Sequence, residues 1–341
     1  MQPPAALSRH KAAVEDHLRS LLDRDQPAEL DRMLRYHLGW ADAEGRPADH
    51  TGKRLRPALC LLACEAAGGD PERAVPAAAA VELVHNFSLV HDDVQDRDAT
   101  RHGRDTVWAI WGEAQAINAG DALLALAHVA LAGMAERGVS GGDVVAAARL
   151  LNERTLEMVG GQVMDISFEE RLDIGLDDYV AMISRKTGAL FDASLSLGAI
   201  AADASESAVQ ALGRCGRQLG IAFQVRDDML GIWGAENRTG KPVAADVRRR
   251  KKSLPIVYAL GAADGEMREQ LSAVYGSTEP SEADVSLVLR ALDSAGAQGY
   301  CQGVADEHRA AAIAALDGAK LSADATGEIR QVADFLLERD F

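Results

Sequence analysis

Cysteine is scarce in this chain, and the spacing of the few present excludes a zinc cluster. Of the four, Cys60, Cys64, Cys215 and Cys301, only the first two are close. They stand four apart in an apolar stretch with no second pair nearby, which reads as buried reduced thiols. Long apolar runs are missing too, since no segment reaches the ~18 uncharged apolar residues of a membrane span. The opening MQPPAALSRHKAAVEDH has no apolar core of signal-peptide length, so a cytoplasmic protein without stable membrane insertion is expected. Cations are in deficit, 36 Lys and Arg against 52 Asp and Glu for a net charge of −16. A phosphate-backbone partner needs the opposite sign, so nucleic acid is not the expected partner. The one basic run, Arg248 to Lys252, stands beside Gly240-Lys241-Pro242 and Asp246 and is expected to border a phosphate site.

Alternation of β-branched residues is also rare, while alanine, leucine and arginine abound, so helix is expected almost throughout. Gly/Pro punctuation at residues 68–71, 138–142, 234–241 and 276–280 separates the helical patterns. None of these breaks is a Gly/Ser-rich linker, and no internal repeat is visible. The expectation is one all-α domain over residues 1–341, with N-terminal helices and a polar loop in 1–51 and the motifs in 52–341.

What the chain does have is two aspartate clusters in helical surroundings. Asp92, Asp93 and Asp96 stand in SLVHDDVQDRD, and Asp227 and Asp228 in FQVRDDMLGIW. On a helix Asp92 and Asp96 share a face and can grip one hard cation. Carboxylates so crowded repel one another unless divalent cations neutralise them. Mg²⁺ favours a few carboxylates, water and substrate phosphate over an all-protein cage, so the implied ligand is a phosphate ester. Separated cationic positions accompany the clusters: Lys53 and Arg56 in GKRLRP, Arg101 and His102 in RHGR, Lys186 before Thr187, then Lys241 and Lys251. Two carboxylate sets with scattered cations suit two diphosphates, one bridged by metal and one held directly. His85 lies seven residues before Asp92, two helical turns back on the same face.

An acidic pair on a helix is more often a solvated face than a site, so neither cluster decides the matter alone. Taken in order, GKRLRP, DDVQD, RHG, NAGDALLA, GQVMD, KTG, FQVRDD, GKP and KKSLP resemble the trans-isoprenyl diphosphate synthases, the polyprenyl synthetase family, from Gly52 to the terminal FLLERDF. The resemblance implies an isoprenoid synthase-type helical bundle around a deep central cavity, a homodimer, and about three Mg²⁺ ions. In this reading Asp92 and Asp96 bind two metals and Asp227 the third, with Asp93 and Asp228 supporting within the metal set. Lys53, Arg56, His85 and His102 match the isopentenyl diphosphate site; Arg101, Lys186, Gln224 and Lys241 match the allylic side, with Thr187 and Lys251 beside them. The implied reaction joins isopentenyl diphosphate to an allylic diphosphate. Phe87 and Ser88, five and four positions before Asp92, resemble the family's chain-length positions. One aromatic with a small neighbour points to geranylgeranyl diphosphate ahead of farnesyl diphosphate.

Three positions depart from the family pattern. His102 stands where many members have arginine, Asp105 where proline is common, and Gly231 where the fuller second motif has aspartate. The last is expected to remove only a peripheral carboxylate, so that Gly231→Asp would change the rate modestly. Trp108, Trp111 and Trp233 read as packing residues. A terpene cyclase or irregular prenyl-coupling enzyme on the same scaffold is the main rival, and it would have less need for Lys53, Arg56 and His85. A noncatalytic synthase subunit fits poorly with an intact first motif, and a di-iron carboxylate bundle lacks its Glu-x-x-His pairs.

Overall fold

A computed structural model describes residues 4–234, 244–277 and 280–337. Lys241, one of the expected phosphate contacts, lies outside them. Two amphipathic helices, α1 (Lys11–Leu22) and α2 (Ala28–His37), bury Val14, Leu18, Met33 and Leu34; α1 lies against the second of the two helices that follow the polar loop and its motif. Those are α3 (Leu55–Ala66) and α4 (Val75–Gln95). Helix α4 has Pro76 in its first turn, where the fixed φ suits it, and runs through Ala77 to Ala80, all fully buried.

The chain leaves α4 through a short hairpin, Thr100–Arg101 pairing antiparallel with Arg104–Asp105. The helical pattern did not announce it. Its two turn residues, His102 and Gly103, both have left-handed φ, 51° and 74°, the geometry that lets a two-residue connection follow strand twist. Short α5 (Val107–Trp111) then leads to α6 (Glu113–Ala132), α7 (Gly141–Phe168) and α8 (Leu176–Ile183). Trp111 packs edge-on against Tyr36 with ring centroids 5.2 Å apart. With the turn that follows it, α6 is long and apolar enough to cross a membrane by length and composition, and 44% of its most apolar window is buried inside the protein.

One π-type turn, Ser184–Gly188, interrupts the path from α8 into α9 (Ala189–Ala201). All of α9 is buried, as expected of a helix apolar on every face. It contacts α3, α4, α7 and α10 (Glu206–Trp233). The single charge in α9, Asp192, is met by Arg154 of α7 and Arg217 of α10 at 3.0 and 2.9 Å. The C-terminal part comprises α11 (Ala245–Arg248), α12 (Leu254–Ala262), α13 (Gly265–Gly276), α14 (Glu282–Ser294), α15 (Ala297–Leu316) and α16 (Ala323–Leu337). One apolar cluster joins α1, α2, α4, α6 and α7, and another joins α3, α9, α10 and α16. All four cysteines are buried and free.

Candidate active site

The carboxyl end of α4, the π turn, the middle of α10 and the hairpin converge on a cavity of about 590 Å³, within the ~300–1,000 Å³ usual for small-molecule sites. From α4 come His85, Phe87, Ser88, Asp92 and Asp96; from α10, Gln224 and Asp227. The π turn contributes Lys186 and Thr187, the hairpin Arg101 and His102, and the first turn of α3 Arg56. The shared face of Asp92 and Asp96 and the two-turn offset of His85 are thus as the helical spacing requires.

A π turn holds its side chains out of helical register and is favoured at functional sites. Here it fits because its neighbours are glycines: a Cβ at Gly161 would lie 2.3 Å from the Lys186 amide nitrogen, and one at Gly220 2.7 Å from the Gly188 Cα. Lys186 Nζ meets Asp165 Oδ2 of α7 at 2.5 Å. Thr187 Oγ1 donates to Gln224 Oε1 at 2.8 Å, and Gln224 Nε2 donates to Asp228 Oδ1 at 3.1 Å.

The two clusters divide between cavity and scaffold. Burial raises the carboxyls of Asp92 and Asp96, with Lys186 opposing in each case. Asp93, by contrast, is turned off the cavity wall onto Arg101 Nε at 2.7 Å, and burial pushes it up to about 6. Asp228 is likewise off the wall. It accepts from Tyr179 Oη at 2.5 Å and the Leu254 amide at 3.3 Å, and burial pushes it up to about 6. Asp93 and Asp228 were expected in the metal set; here their carboxylates are committed to protein partners, and what they position is Arg101 and the Gln224–Thr187 chain. Lys53 is a second difference, for its ammonium lies 5.4 Å from the Phe335 ring centroid of α16, off the cavity wall.

The basic run is shared out member by member. Lys251 lines the cavity with its ammonium 4.0 Å from Asp228 Oδ1, and although burial pulls the other way, Asp246 and Asp228 hold it above the ordinary lysine range. Arg249 pairs across the mouth with Asp98 at 3.0 Å. Arg248 pairs with Glu282, and Lys252 donates to the Phe168 carbonyl at 2.8 Å, closing the end of α7.

Three cavity carboxylates were not singled out as site residues from sequence: Asp98, which pairs with Arg249 at the mouth, Asp165 and Asp246. Asp165 ends the GQVMD motif, and that membership was its signal. Asp246 gave none beyond its place near the basic run. Its carboxylate, brought by α11, packs on Gly231 so closely that a Cβ there would sit 2.2 Å from Asp246 Oδ2. The glycine at 231 is therefore not a simple loss of a peripheral acid, because the space its side chain would need already holds another carboxylate. That crowding argues for a larger effect of Gly231→Asp than the modest one expected from sequence.

Among the described residues, no group of three or more His, Cys, Asp or Glu side chains is gathered to hold an ion unaided. The cavity nevertheless offers oxygen donors from opposite walls, Asp92 and Asp96 on one side and Asp165 and Asp227 on others, with the first pair held above the usual carboxylate range. That donor set fits Mg²⁺ arriving with a diphosphate, which supplies the remaining oxygens. His85 is held well below the usual imidazole range by burial and by Arg56, and so is neutral at pH 7.

The family model for polyprenyl synthetase matches residues 46–292. A (2E,6E)-farnesyl diphosphate synthase of Mycobacterium tuberculosis is 41% identical over 326 residues, 94% of this chain and 89% of that one. A geranylgeranyl diphosphate synthase of the same organism is 44% identical over 297 residues, 86% of this chain and 83% of that one. Among solved structures, a polyprenyl synthetase from Streptomyces coelicolor A3(2) superposes with a TM-score of 0.90 at 39% identity, covering 98% of this chain and 100% of that one. A geranylgeranyl pyrophosphate synthase from Corynebacterium glutamicum, complexed with isoprenyl diphosphate and magnesium, gives a TM-score of 0.84 at 26% identity over 98% of this chain and 99% of that one.

Proposed function

We propose that this chain, which belongs to the polyprenyl synthetase family, joins isopentenyl diphosphate to an allylic diphosphate in an Mg²⁺-dependent reaction and releases mainly geranylgeranyl diphosphate. It is a prenyltransferase of the prenyl diphosphate synthase class. The observation that carries the finer reading is one cavity with both a carboxylate- and cation-lined part and an apolar part lined by Phe87, Met158, Ile183 and Leu190.

Asp92, Asp96, Asp165 and Asp227 would hold the divalent ions, about three by the family pattern. Once bound, those ions neutralise the leaving group's charge and favour ionisation of the allylic carbon–oxygen bond. Lys186, Thr187, Gln224 and Lys251 orient the allylic diphosphate, with Arg101 anchored beside it by Asp93. Arg56 supplies charge to the second diphosphate, and neutral His85 supplies a hydrogen bond without a competing charge. The apolar lining leaves the alkene of isopentenyl diphosphate as the nucleophile that reaches the allylic cation. A carbon–carbon bond forms, the carbon–oxygen bond to diphosphate breaks, and one proton is lost, with the released diphosphate as its acceptor. Each added five-carbon unit gains ~4 kcal/mol if fully buried, so growth stops where a bulky side chain ends the apolar space. Phe87, 8% exposed, and the small Ser88 beside it both line that space. Farnesyl diphosphate is the second reading, favoured by the farnesyl synthase relative that covers 94% of the chain.

A homodimer is part of the proposal. It rests on an exposed apolar stripe along α7, Leu156, Val159, Val163 and Ile166, at the spacing of a helix–helix seam; Ile117 and Val129 of α6 are exposed as well. Incubating the purified chain with Mg²⁺, isopentenyl diphosphate and allylic diphosphates of increasing length tests the chemistry by product mass. Elongation that persists in excess chelator overturns the metal's role, and a cyclised hydrocarbon product overturns the reaction.

A further inference from the structure

Between the two cations of GKRLRP that match a diphosphate site stands Arg54, which faces the other way. It is 6% exposed and adopts left-handed φ of 48° immediately before α3. Its guanidinium is fully engaged: Nε to Glu15 Oε1 at 2.6 Å, Nη1 to Glu82 Oε1 at 2.8 Å, and Nη2 to the Leu38 carbonyl at 3.1 Å. Glu82, itself 5% exposed, is one helical turn before His85 on α4 and also accepts from Asn86 Nδ2 at 3.1 Å. Arg56, two residues on, is the opposite case. It lines the cavity over the Phe191 ring, 5.0 Å from the centroid, and its Nε is buried with no hydrogen-bond partner. Glu82 is the carboxylate whose field reaches Arg56.

We propose that Arg54 is a positioning residue for the isopentenyl diphosphate site: by binding Glu82 it keeps that carboxylate from capturing Arg56, and so leaves the Arg56 guanidinium open to a diphosphate. The inference rests on the assignment of Arg56 to that site. A buried carboxylate must have a partner. With Arg54 removed, Glu82 takes the guanidinium that remains, and Arg56 then exchanges an intramolecular ion pair for each substrate it binds.

Steady-state kinetics with both substrates varied, on variants whose circular dichroism and melting are recorded, separate the possibilities. Arg54→Met should raise the KM for isopentenyl diphosphate about tenfold or more while the allylic KM stays within about twofold. Adding Glu82→Gln should restore most of the loss, because the trap is then gone, whereas adding Glu15→Gln should not. If Arg54→Met does not fold, Arg54→Lys serves in its place: an ammonium cannot span three acceptors as the planar fork does, so a smaller KM rise is expected, again reversed by Glu82→Gln. Loss shared equally by both substrates, or no rescue by Glu82→Gln, would mean that Arg54 only holds the loop, and the proposal fails. Arg56→Ala is the control for the underlying assignment: if it leaves the isopentenyl diphosphate KM unchanged, the assignment falls and the proposal with it. A raised KM for Arg56→Ala beside an unchanged one for Arg54→Met removes the proposal alone.

Discussion

Asp227 and Asp228 are neighbours in sequence with opposite surroundings, and the difference can be measured. Asp227 lines the cavity, while Asp228 is 1% exposed among donors from α8, α10 and α12. Burial pushes Asp228 up to about 6, against ~3.9 for an unfolded aspartate. Between those values the folded chain keeps a proton that the unfolded chain has lost, so this group's contribution to stability is fullest at low pH and falls as pH rises to about 6. Asp228→Asn removes that dependence. Relative to the parent, the metal-free variant should gain ~2–3 kcal/mol between about pH 4 and 7, read from urea unfolding at each pH, and a gap that stays flat refutes the shift. Gly231 carries a second prediction at this scale. Because a Cβ there would press on the Asp246 carboxylate, even Gly231→Ala should lower turnover about tenfold, equivalent to ~1.4 kcal/mol of barrier. Gly231→Asp, which adds a like charge in the same space, should lower it further. Parent-like rates in both variants would show that the placing of Asp246 is immaterial.

Helix α4 was the most legible element, because a 3.6-residue period fixes which of His85, Ser88, Asp92 and Asp96 share a face without knowledge of anything they pack against. The hairpin at Arg101 and the π turn at Lys186 were legible only as motifs. Both depend on what lies opposite: the turn at Ser184–Gly188 needs the bare Cα atoms of Gly161 and Gly220, which are distant in sequence. The orientation of Asp93 was hidden for the same reason, since its partner Arg101 arrives on the hairpin. Helical geometry sets Ser88, four residues before Asp92, on the Asp92 face and turns Phe87 away from it; both nevertheless line the cavity, and Phe87 meets His91 edge-on with centroids 4.9 Å apart. Phe87 and Ser88 should therefore act in opposite directions on product length. Phe87→Ala opens space and should shift products at least one five-carbon unit longer, worth ~4 kcal/mol of further burial. Ser88→Phe fills space and should shift them shorter. Chromatography of the dephosphorylated products reads both, and an unchanged distribution in two active variants would place the limiting wall on α7 or α9.

At the scale of the whole molecule, α7 carries an apolar stripe that the described residues leave uncovered. Leu156 is 73% exposed and Val163 63%, two turns apart on α7, and Val159 between them is 41% exposed and also lines the cavity. The stripe therefore touches the site from outside. A two-fold interface sets the same patch of each protomer against its partner, so a charge added to one chain enters the seam twice. Leu156→Glu with Val163→Glu would place four carboxylates there, and burying them unpaired costs several kcal/mol each. The double variant should sediment as a monomer under conditions where the parent is a dimer, with little change in helix content. Because Val159 is then left facing water on one side and the cavity on the other, turnover should fall together with dimer fraction and recover as protein concentration is raised. A variant that remains dimeric would move the interface off this stripe. A stable monomer with the parent's turnover would show that each cavity wall is complete within its own chain.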